Sequence, residues 1–319
     1  MSTFNLQIFD DTILNRDQLV KFLKTTTGTV ELDTLGEGPS LVQCGLLDIL
    51  NESSKDFSEI KVRTPNKIEQ LPIESIGDQH RFSYWFRSVH QACKKYKFQN
   101  LAQDHYRLGC FVGRKNLDRL AILYWLSRRL NVFLSSLRED RIHYEHRSDI
   151  KHWVDNVYSF ESWVNKFDIP SIDNYSVDDQ YRTVDMFQKD SKFLQVQTNM
   201  LNWYNGFDVE LVCETFVRGN TYFPTEKTTR PIAGCKPMLI YGPKDYLARL
   251  RDQGFKTWAD CWDESYDQYE GVERWNCMKE VITQIHAWGD WEWNPLMLRA
   301  NEIAKYNQQY FLQEVARDY

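Results

Sequence analysis

The sequence lacks the short motifs that mark several large enzyme and metal-binding classes. It contains no C-x-x-C pair, no G-x-S-x-G, no Walker P-loop and no G-x-G-x-x-G pattern. Its seven cysteines are scattered and odd in number, which is typical of reduced thiols rather than of a disulfide framework or a zinc site. Nucleophile-elbow hydrolases, P-loop NTPases and dinucleotide-binding proteins with the usual fingerprint are therefore disfavoured.

Long apolar runs and a strong excess of one charge are also missing. No run approaches the roughly 20 apolar residues that span a bilayer. The N-terminal residues 1–5 have neither the charged nor the apolar region of a signal peptide. With 39 basic and 45 acidic residues, the formal charge of -6 excludes a protein built around a global nucleic-acid field, although a local basic groove is compatible with it. We expect a cytoplasmic protein without a membrane span.

The length of 319 residues suffices for two ordinary domains or one large one, and the 14% of aromatic residues indicates a folded chain. Apolar and turn patterns in the first part predict strands at 5–9, 41–44 and 60–63 and a helix near 16–25. An aromatic stripe at helical spacing lies within 78–97. We therefore predict a small α/β domain over 1–105.

A second alternation of strands and helices begins after residue 105. Strands are predicted at 108–112, 209–213 and 238–242. Helices are predicted at 117–130, which is apolar almost all round, at 245–253, at 271–288 and after Pro295. A strand, a tight glycine turn and a buried helix form the opening unit of a parallel α/β domain. We predict this second domain over 106–290, and a terminal helical segment over 291–319 that packs back on the first domain.

The segment Thr225-Glu226-Lys227 carries the most informative chemistry. Thr225 suits the N-cap of a helix, and Glu226 suits its first position because the helix dipole favours an acid there. An acid after a threonine cap is by itself an ordinary helix start. Lys227 is not ordinary, since a cation in the first turn opposes the dipole, and an anionic ligand would justify it.

Arg114 follows a predicted strand and a glycine, where α/β folds place ligand-binding groups. A guanidinium at that point can bind a diphosphate through two parallel hydrogen bonds. A surface arginine at a turn is an equally good interpretation of this position alone.

These residues together resemble a family. Phe111-Val112-Gly113-Arg114 before an apolar helix, Glu214 after a strand, Thr225-Glu226-Lys227, and Pro237 before a buried strand are similar to fucosyltransferase-like glycosyltransferases. Residues 254–267 are similar to short glycosyltransferase-like proteins encoded by phages and other viruses. The resemblance covers roughly residues 106–290. It implies two Rossmann-like α/β domains facing a cleft, the GT-B arrangement, and for a viral protein a location in the host cytoplasm.

The resemblance also implies roles for individual residues. Glu226 would bind the ribose of a GDP- or UDP-sugar and Lys227 its phosphates, with Glu214 and Thr225 in the same donor site. Arg114 would stabilise the departing diphosphate, and the donor would be a co-substrate, with no tightly bound cofactor and no required metal. An inverting transferase needs a general base from the first domain. Asp78 is our first choice, although it equally suits a helix cap; the other candidates are Asp10, Asp11, Glu74 and His80.

Two alternative functions stay open at this point. One is a phage-type glycosyltransferase acting on hydroxymethylated DNA, suggested by the basic residues Arg128, Arg129, Arg138, Arg141, Arg147 and Lys151. The other is a non-catalytic nucleotide-sugar binding protein, against which the presence of Arg114, Glu226 and Lys227 argues. Asp178-Asp179 and the pair His143 and His146 lack the further spaced ligands that a metal site needs.

Overall fold

A computed structural model describes residues 1–9, 12–34, 38–66, 71–77, 89, 105–112, 117–136, 153–154, 159–160, 162, 200–219 and 221–317. Its strands are β1 Ser2–Asn5, β2 Ile8–Phe9, β3 Thr12–Ile13, β4 Val30–Asp33, β5 Ile60–Thr64, β6 Glu74–Gly77, β7 Tyr106–Val112, β8 Phe133–Ser136, β9 Phe207–Cys213 and β10 Met238–Tyr241. Its helices are α1 Arg16–Thr25, α2 Leu46–Ser53, α3 Leu117–Arg129, α4 Glu226–Ala233, α5 Tyr246–Asp252, α6 Gly271–Ala287 and α7 Asp290–Arg317. Short 3₁₀ turns lie at Phe57–Glu59, Tyr204–Gly206 and Ser265–Gln268.

The first sheet is parallel and has the order β1-β4-β5-β6. The small antiparallel hairpin of β2 and β3 lies beside it. Helices α1 and α2 pack on the sheet through a buried apolar cluster to which Leu19, Leu23, Leu46 and Leu50 belong. The predictions of α1 and of β5 are confirmed.

Two strand predictions in this region were wrong. The first strand lies at Ser2–Asn5 rather than at 5–9, and residues 41–44 form a turn that leads into α2. Strand β4 was not predicted from the sequence, and its residues Val-Glu-Leu-Asp carry an acid at a buried position. Glu31 is tolerated there because Arg63 on the neighbouring strand β5 donates to it at 2.9 Å. The sequence does not show that pairing, since the two residues lie 32 positions apart.

The second sheet is also parallel and has the order β10-β9-β7-β8. The chain moves outward from β7 to β8, and then crosses to the other side of β7 to form β9 and β10. The strand order thus reverses between β7 and β9. In open parallel sheets such a reversal opens a crevice at the carboxyl ends of the two strands, where ligands bind.

The helices of this second unit bury most of its apolar residues. Helix α3 is buried almost all round, as its sequence predicts, and α5, α6 and α7 complete the same core. Strands β7, β9 and β10 and helices α3, α5 and α6 confirm the predicted elements to within a few residues. The molecule is therefore a mixed α/β structure with two parallel sheets, compatible with Rossmann-like folding.

Helix α7 begins at Asp290, five residues before Pro295. Glu292 in its first turn accepts from the backbone N–H of Gly289 at 3.0 Å, which starts the helix earlier than the proline suggests. The side-chain contacts described for α7 are with the second unit, for example from Trp293 to Asp208 and from Gln308 to the carbonyl of Ala233. Packing of this helix on the first domain stays a prediction. None of the helices in the described ranges is long and apolar enough to cross a membrane.

Candidate functional site

Glu214 occupies the first position after β9, at the carboxyl edge where the strand order reverses. Its carboxylate is buried and accepts five hydrogen bonds. The donors are the backbone N–H groups of Thr215 (3.0 Å) and Thr225 (3.1 Å), and the hydroxyls of Thr225 (2.7 Å), Thr228 (2.5 Å) and Tyr246 (2.9 Å). Glu214 therefore joins the end of β9 to the start of α4 and to α5.

Thr225 caps α4 as predicted. It has extended backbone angles, and its hydroxyl oxygen accepts from the N–H of Lys227 at 3.3 Å. The same hydroxyl donates to Glu214, so the cap itself is held by the carboxylate behind it. The helix is eight residues long and ends two residues after Pro231, as the proline predicts.

Glu226 and Lys227 form a close ion pair in the first turn of α4. The Lys227 ammonium lies 2.6 Å from the Glu226 carboxylate and 2.8 Å from the Thr215 hydroxyl. Their side chains are only 10% and 14% exposed. The pair is thus a nearly enclosed acid and base at the carboxyl edge of the sheet.

The two pKa values show how strongly the surroundings act on this pair. Burial lowers the pKa of Lys227 below its ordinary value despite the nearby carboxylates of Glu226 and Glu214, and the positive charge of Arg119 adds to the decrease. Burial alone would raise the pKa of Glu226, but the Lys227 ammonium, the backbone N–H of Glu226 and the charge of Arg230 together outweigh it, and the pKa of Glu226 falls below its ordinary value. Each charge of the pair therefore favours the charged form of the other.

Arg119 is a site residue that the sequence does not single out. It lies in the first turn of α3, is buried, and donates to the backbone carbonyls of Cys213 at 3.3 Å and Glu214 at 2.6 Å. Its only sequence signal is a charged residue within the apolar helix Leu117–Arg129. It fixes the end of β9 against α3, next to the Glu226–Lys227 pair.

A second buried ion pair holds the other end of α4. The guanidinium of Arg230 is bonded to the Glu210 carboxylate on β9 and donates to the Tyr204 hydroxyl at 3.1 Å. Arg230 also stacks over the ring of Phe111, 5.1 Å from its centre. Helix α4 is therefore attached to β9 near both ends, which fixes the position of Lys227.

The loop before α4 also touches the first unit. The backbone N–H of Tyr222 donates to the Asn66 side chain at 3.0 Å, and the ring of Phe223 packs directly against Gly38. Asn66 stands two residues after β5, at the carboxyl end of the first sheet. The carboxyl edge of the first sheet and the loop before α4 are therefore neighbours.

Several predicted site residues cannot be placed. Arg114 and Asp78 lie outside the described residues, as do the alternative bases Asp10, Asp11 and His80. The same holds for Asp178, Asp179, His143 and His146. Glu74 is described, on the edge strand β6, where it pairs with Lys61 at 2.7 Å. In the part of the chain that the structure describes, no group of acidic, histidine or cysteine side chains could hold a metal ion.

Of the basic residues that suggested DNA binding, the structure describes Arg128 and Arg129, and both lie far from this site. Arg128 donates to the Tyr124 hydroxyl, and Arg129 stacks over Trp125 at 5.4 Å from the ring centre. Both lie in the last turn of α3, and a 13-residue helix is about 20 Å long. They are therefore near the amino ends of the strands, opposite the edge that carries Lys227.

No protein-family model, curated protein or solved structure matches the chain. The similarity to fucosyltransferase-like enzymes therefore stays a prediction from individual residues.

Proposed function

We propose that the chain is a glycosyltransferase of the GT-B type, which moves a sugar from a GDP- or UDP-sugar to the hydroxyl of a glycan or small molecule with inversion. One observation carries the proposal. A nearly buried lysine and glutamate stand side by side in the first turn of a helix, at the carboxyl edge of a parallel sheet whose strand order reverses there. That position is where such sheets bind ligands, and the pair matches a ligand with both hydroxyls and phosphates.

The electrostatics of Lys227 support an anionic ligand. The first turn of a helix carries a partial positive charge, which a cation opposes by roughly 0.3–1 kcal/mol. Arg119 is close enough to lower the pKa of Lys227 further. Without ligand, Glu226 and Thr215 offset this repulsion. A diphosphate would take the place of the carboxylate on the lysine, and Glu226 would then be free to accept from the ribose hydroxyls.

Thr225 and Glu214 take supporting positions in this proposal. All five hydrogen bonds to Glu214 come from the protein, and its carboxylate is buried. Its geometry favours a positioning role over direct contact with the donor. Thr225 presents the start of α4, whose backbone N–H groups would meet the phosphates together with Lys227. Arg114, between β7 and α3 in the sequence, would complete the diphosphate site.

The acceptor would bind on the side of the first sheet. The contacts of Tyr222 with Asn66 and of Phe223 with Gly38 support two domains that face each other across a cleft. A general base from the first domain would take the proton of the acceptor hydroxyl. We keep Asp78 in this role, one position after β6 in the sequence. Cations and the helix dipole would stabilise the departing diphosphate, so the transfer would need no bound metal.

A thermal-shift screen with GDP-, UDP- and dTDP-sugars tests the donor site, because a ligand that binds only the folded state raises its stability by about 2.7 kcal/mol at 100 times its dissociation constant. We expect one class of donor to stabilise the wild type and to lose that effect in Lys227→Ala. Lys21→Ala, an exposed lysine on α1, is the matched control and should respond like the wild type. Stabilisation by no donor, or by the same donor equally in Lys227→Ala, would refute the proposal.

Turnover separates the enzyme from a binding protein. Hydrolysis or transfer of the stabilising donor by the wild type, lost in Lys227→Ala, would exclude the non-catalytic alternative. Binding to hydroxymethylated DNA that falls steeply with salt, followed by transfer to it, would instead identify DNA as the acceptor.

A further inference from the structure

The outer face of α7 exposes large apolar side chains that the second unit does not use. Trp291 is 78% exposed, Leu298 71% and Leu312 40%. The opposite face of the helix is fixed in the core by Trp293, Met297, Ala300, Ala304 and Phe311. One face of the helix is therefore buried in the core, and the three apolar side chains on the other face are exposed to solvent.

These three residues occupy positions 291, 298 and 312 of a seven-residue repeat, and Lys305 occupies the position between the last two. A straight helix turns 3.6 residues per turn, so a seven-residue repeat forms a slowly drifting stripe that suits a second helix in a left-handed pair. A second copy of this helix carries the same spacing, so the positions of the two stripes match along their whole length. The spacing therefore favours a helix as the partner.

The stripe is complementary to itself when a second copy runs antiparallel. In a two-fold pair centred between residues 301 and 302, the facing residues have numbers that sum to 603. Trp291 then faces the second copy's Leu312 (291 + 312 = 603), and Leu298 faces its Lys305 (298 + 305 = 603). The large tryptophan meets the leucine at each end, and the lysine stem covers the leucine near the centre.

Charge supports the same orientation. In the antiparallel pair, Lys305 of one copy faces Leu298 of the second copy. Side chains of a helix point toward its N-terminus, so this lysine leans toward Glu302 of the second copy, which lies one turn after that Leu298. In a parallel pair, by contrast, Lys305 would face the Lys305 of the other copy. Like charges in such a position oppose association.

We propose that α7 pairs with the α7 of a second copy of this chain, antiparallel about a two-fold axis between residues 301 and 302. The stripe from 291 to 312 is about 32 Å long at 1.5 Å per residue. A single helix pair of this length buries a surface area at the small end of the range for specific interfaces, so we expect a weak dimer whose population rises with protein concentration. This inference does not depend on the glycosyltransferase proposal.

Sedimentation velocity over a range of protein concentrations tests the dimer. We expect Leu298→Lys, which adds a second cation opposite Lys305, to weaken dimerisation by about tenfold or more. The matched control is Leu14→Lys, since Leu14 is 62% exposed but lies beside the hairpin of the first unit. Circular dichroism of both variants checks that they remain folded. A wild type that stays monomeric up to about 100 μM, including one that binds lipid vesicles through this face instead, would overturn the proposal.

Disulfide trapping tests the orientation independently of affinity. In an antiparallel dimer of Leu298→Cys, the two new thiols lie about 10 Å apart along the helix axis, and the same holds for a dimer of Lys305→Cys. Neither variant alone should cross-link, but an equimolar mixture of the two should give a covalent dimer. Self-cross-linking of each single variant would indicate a parallel pair and overturn the proposed arrangement. Wild-type protein under the same oxidation gives the background from its own cysteines.

Discussion

Replacing Glu214 by glutamine tests whether this carboxylate organises the site. The substitution keeps the size of the side chain and changes one oxygen into an NH₂ group. In the wild type, each carboxylate oxygen of Glu214 accepts from one backbone N–H, Oε1 from Thr225 and Oε2 from Thr215. Whichever way the amide is turned, its NH₂ faces a backbone N–H that cannot rotate away. The hydroxyls of Thr225, Thr228 and Tyr246 can turn, but the backbone donor stays unpaired.

The expected loss follows from that one donor and from the weaker remaining bonds. An unpaired buried donor costs about 1–3 kcal/mol, and hydrogen bonds to a neutral oxygen are worth about half of those to a carboxylate. The lower cost of burying a neutral amide offsets part of this loss. We expect Glu214→Gln to destabilise the protein by about 2–4 kcal/mol, or about 4–8 °C in Tm at roughly 2 °C per kcal/mol.

Differential scanning calorimetry of the wild type, Glu214→Gln and Glu280→Gln measures this effect. Glu280 lies on the exposed face of α6, and its amide variant should stay within about 0.5 kcal/mol of the wild type. The reasoning would be refuted if Glu214→Gln also stayed within that range, because the five hydrogen bonds would then contribute little to the position of α4.

Three further predictions concern stability. Burial raises the pKa of Glu264 from 4.5 to about 6, so the stability that its protonated form contributes is full below pH 4.5 and is lost as pH rises through 6. Glu264→Gln should therefore have a free energy of unfolding up to about 2 kcal/mol above that of the wild type at pH 7.5, and almost the same one at pH 4.5, as measured by chemical unfolding at both pH values. Arg230→Met leaves the buried Glu210 with the Tyr204 hydroxyl but without its cation, and should cost about 3–5 kcal/mol. The double variant with Glu210→Met should recover most of this loss in a double-mutant cycle, and additive losses would contradict the pairing. Gly109→Ala places a methyl group 2.5 Å from the ring of Phe207 and should cost about 1–3 kcal/mol in urea unfolding; a neutral result would contradict this close packing.

The local elements around the site were predictable from the sequence. The apolar runs of β9 and β10, the threonine cap of α4 and the end of α4 shortly after Pro231 depend on residues close together in the chain, and the structure shows them where the pattern predicts. The positions of Lys227 and Glu226 in the first turn follow from the same local signals.

The long-range pairings were not predictable. Glu214 is bonded to groups as far as Tyr246, and Arg119 to a carbonyl 95 positions away. The strand β4 was missed because the acid at Glu31 looks unfavourable until Arg63 is placed beside it. Strand order, which puts Glu214 at the reversal between β7 and β9, depends on contacts that no local pattern records.

The central claim is that Lys227 binds the diphosphate of a nucleotide donor. Isothermal titration calorimetry tests this claim by comparing the binding of GDP with that of guanosine, and of UDP with that of uridine. The two proteins compared are the wild type and Lys227→Met, which keeps the length of the side chain without its charge. We predict that the wild type binds one diphosphate at least tenfold more tightly than its nucleoside, and that Lys227→Met loses most of this preference, with nucleoside affinity unchanged. An equal preference for the diphosphate in both proteins would contradict the account.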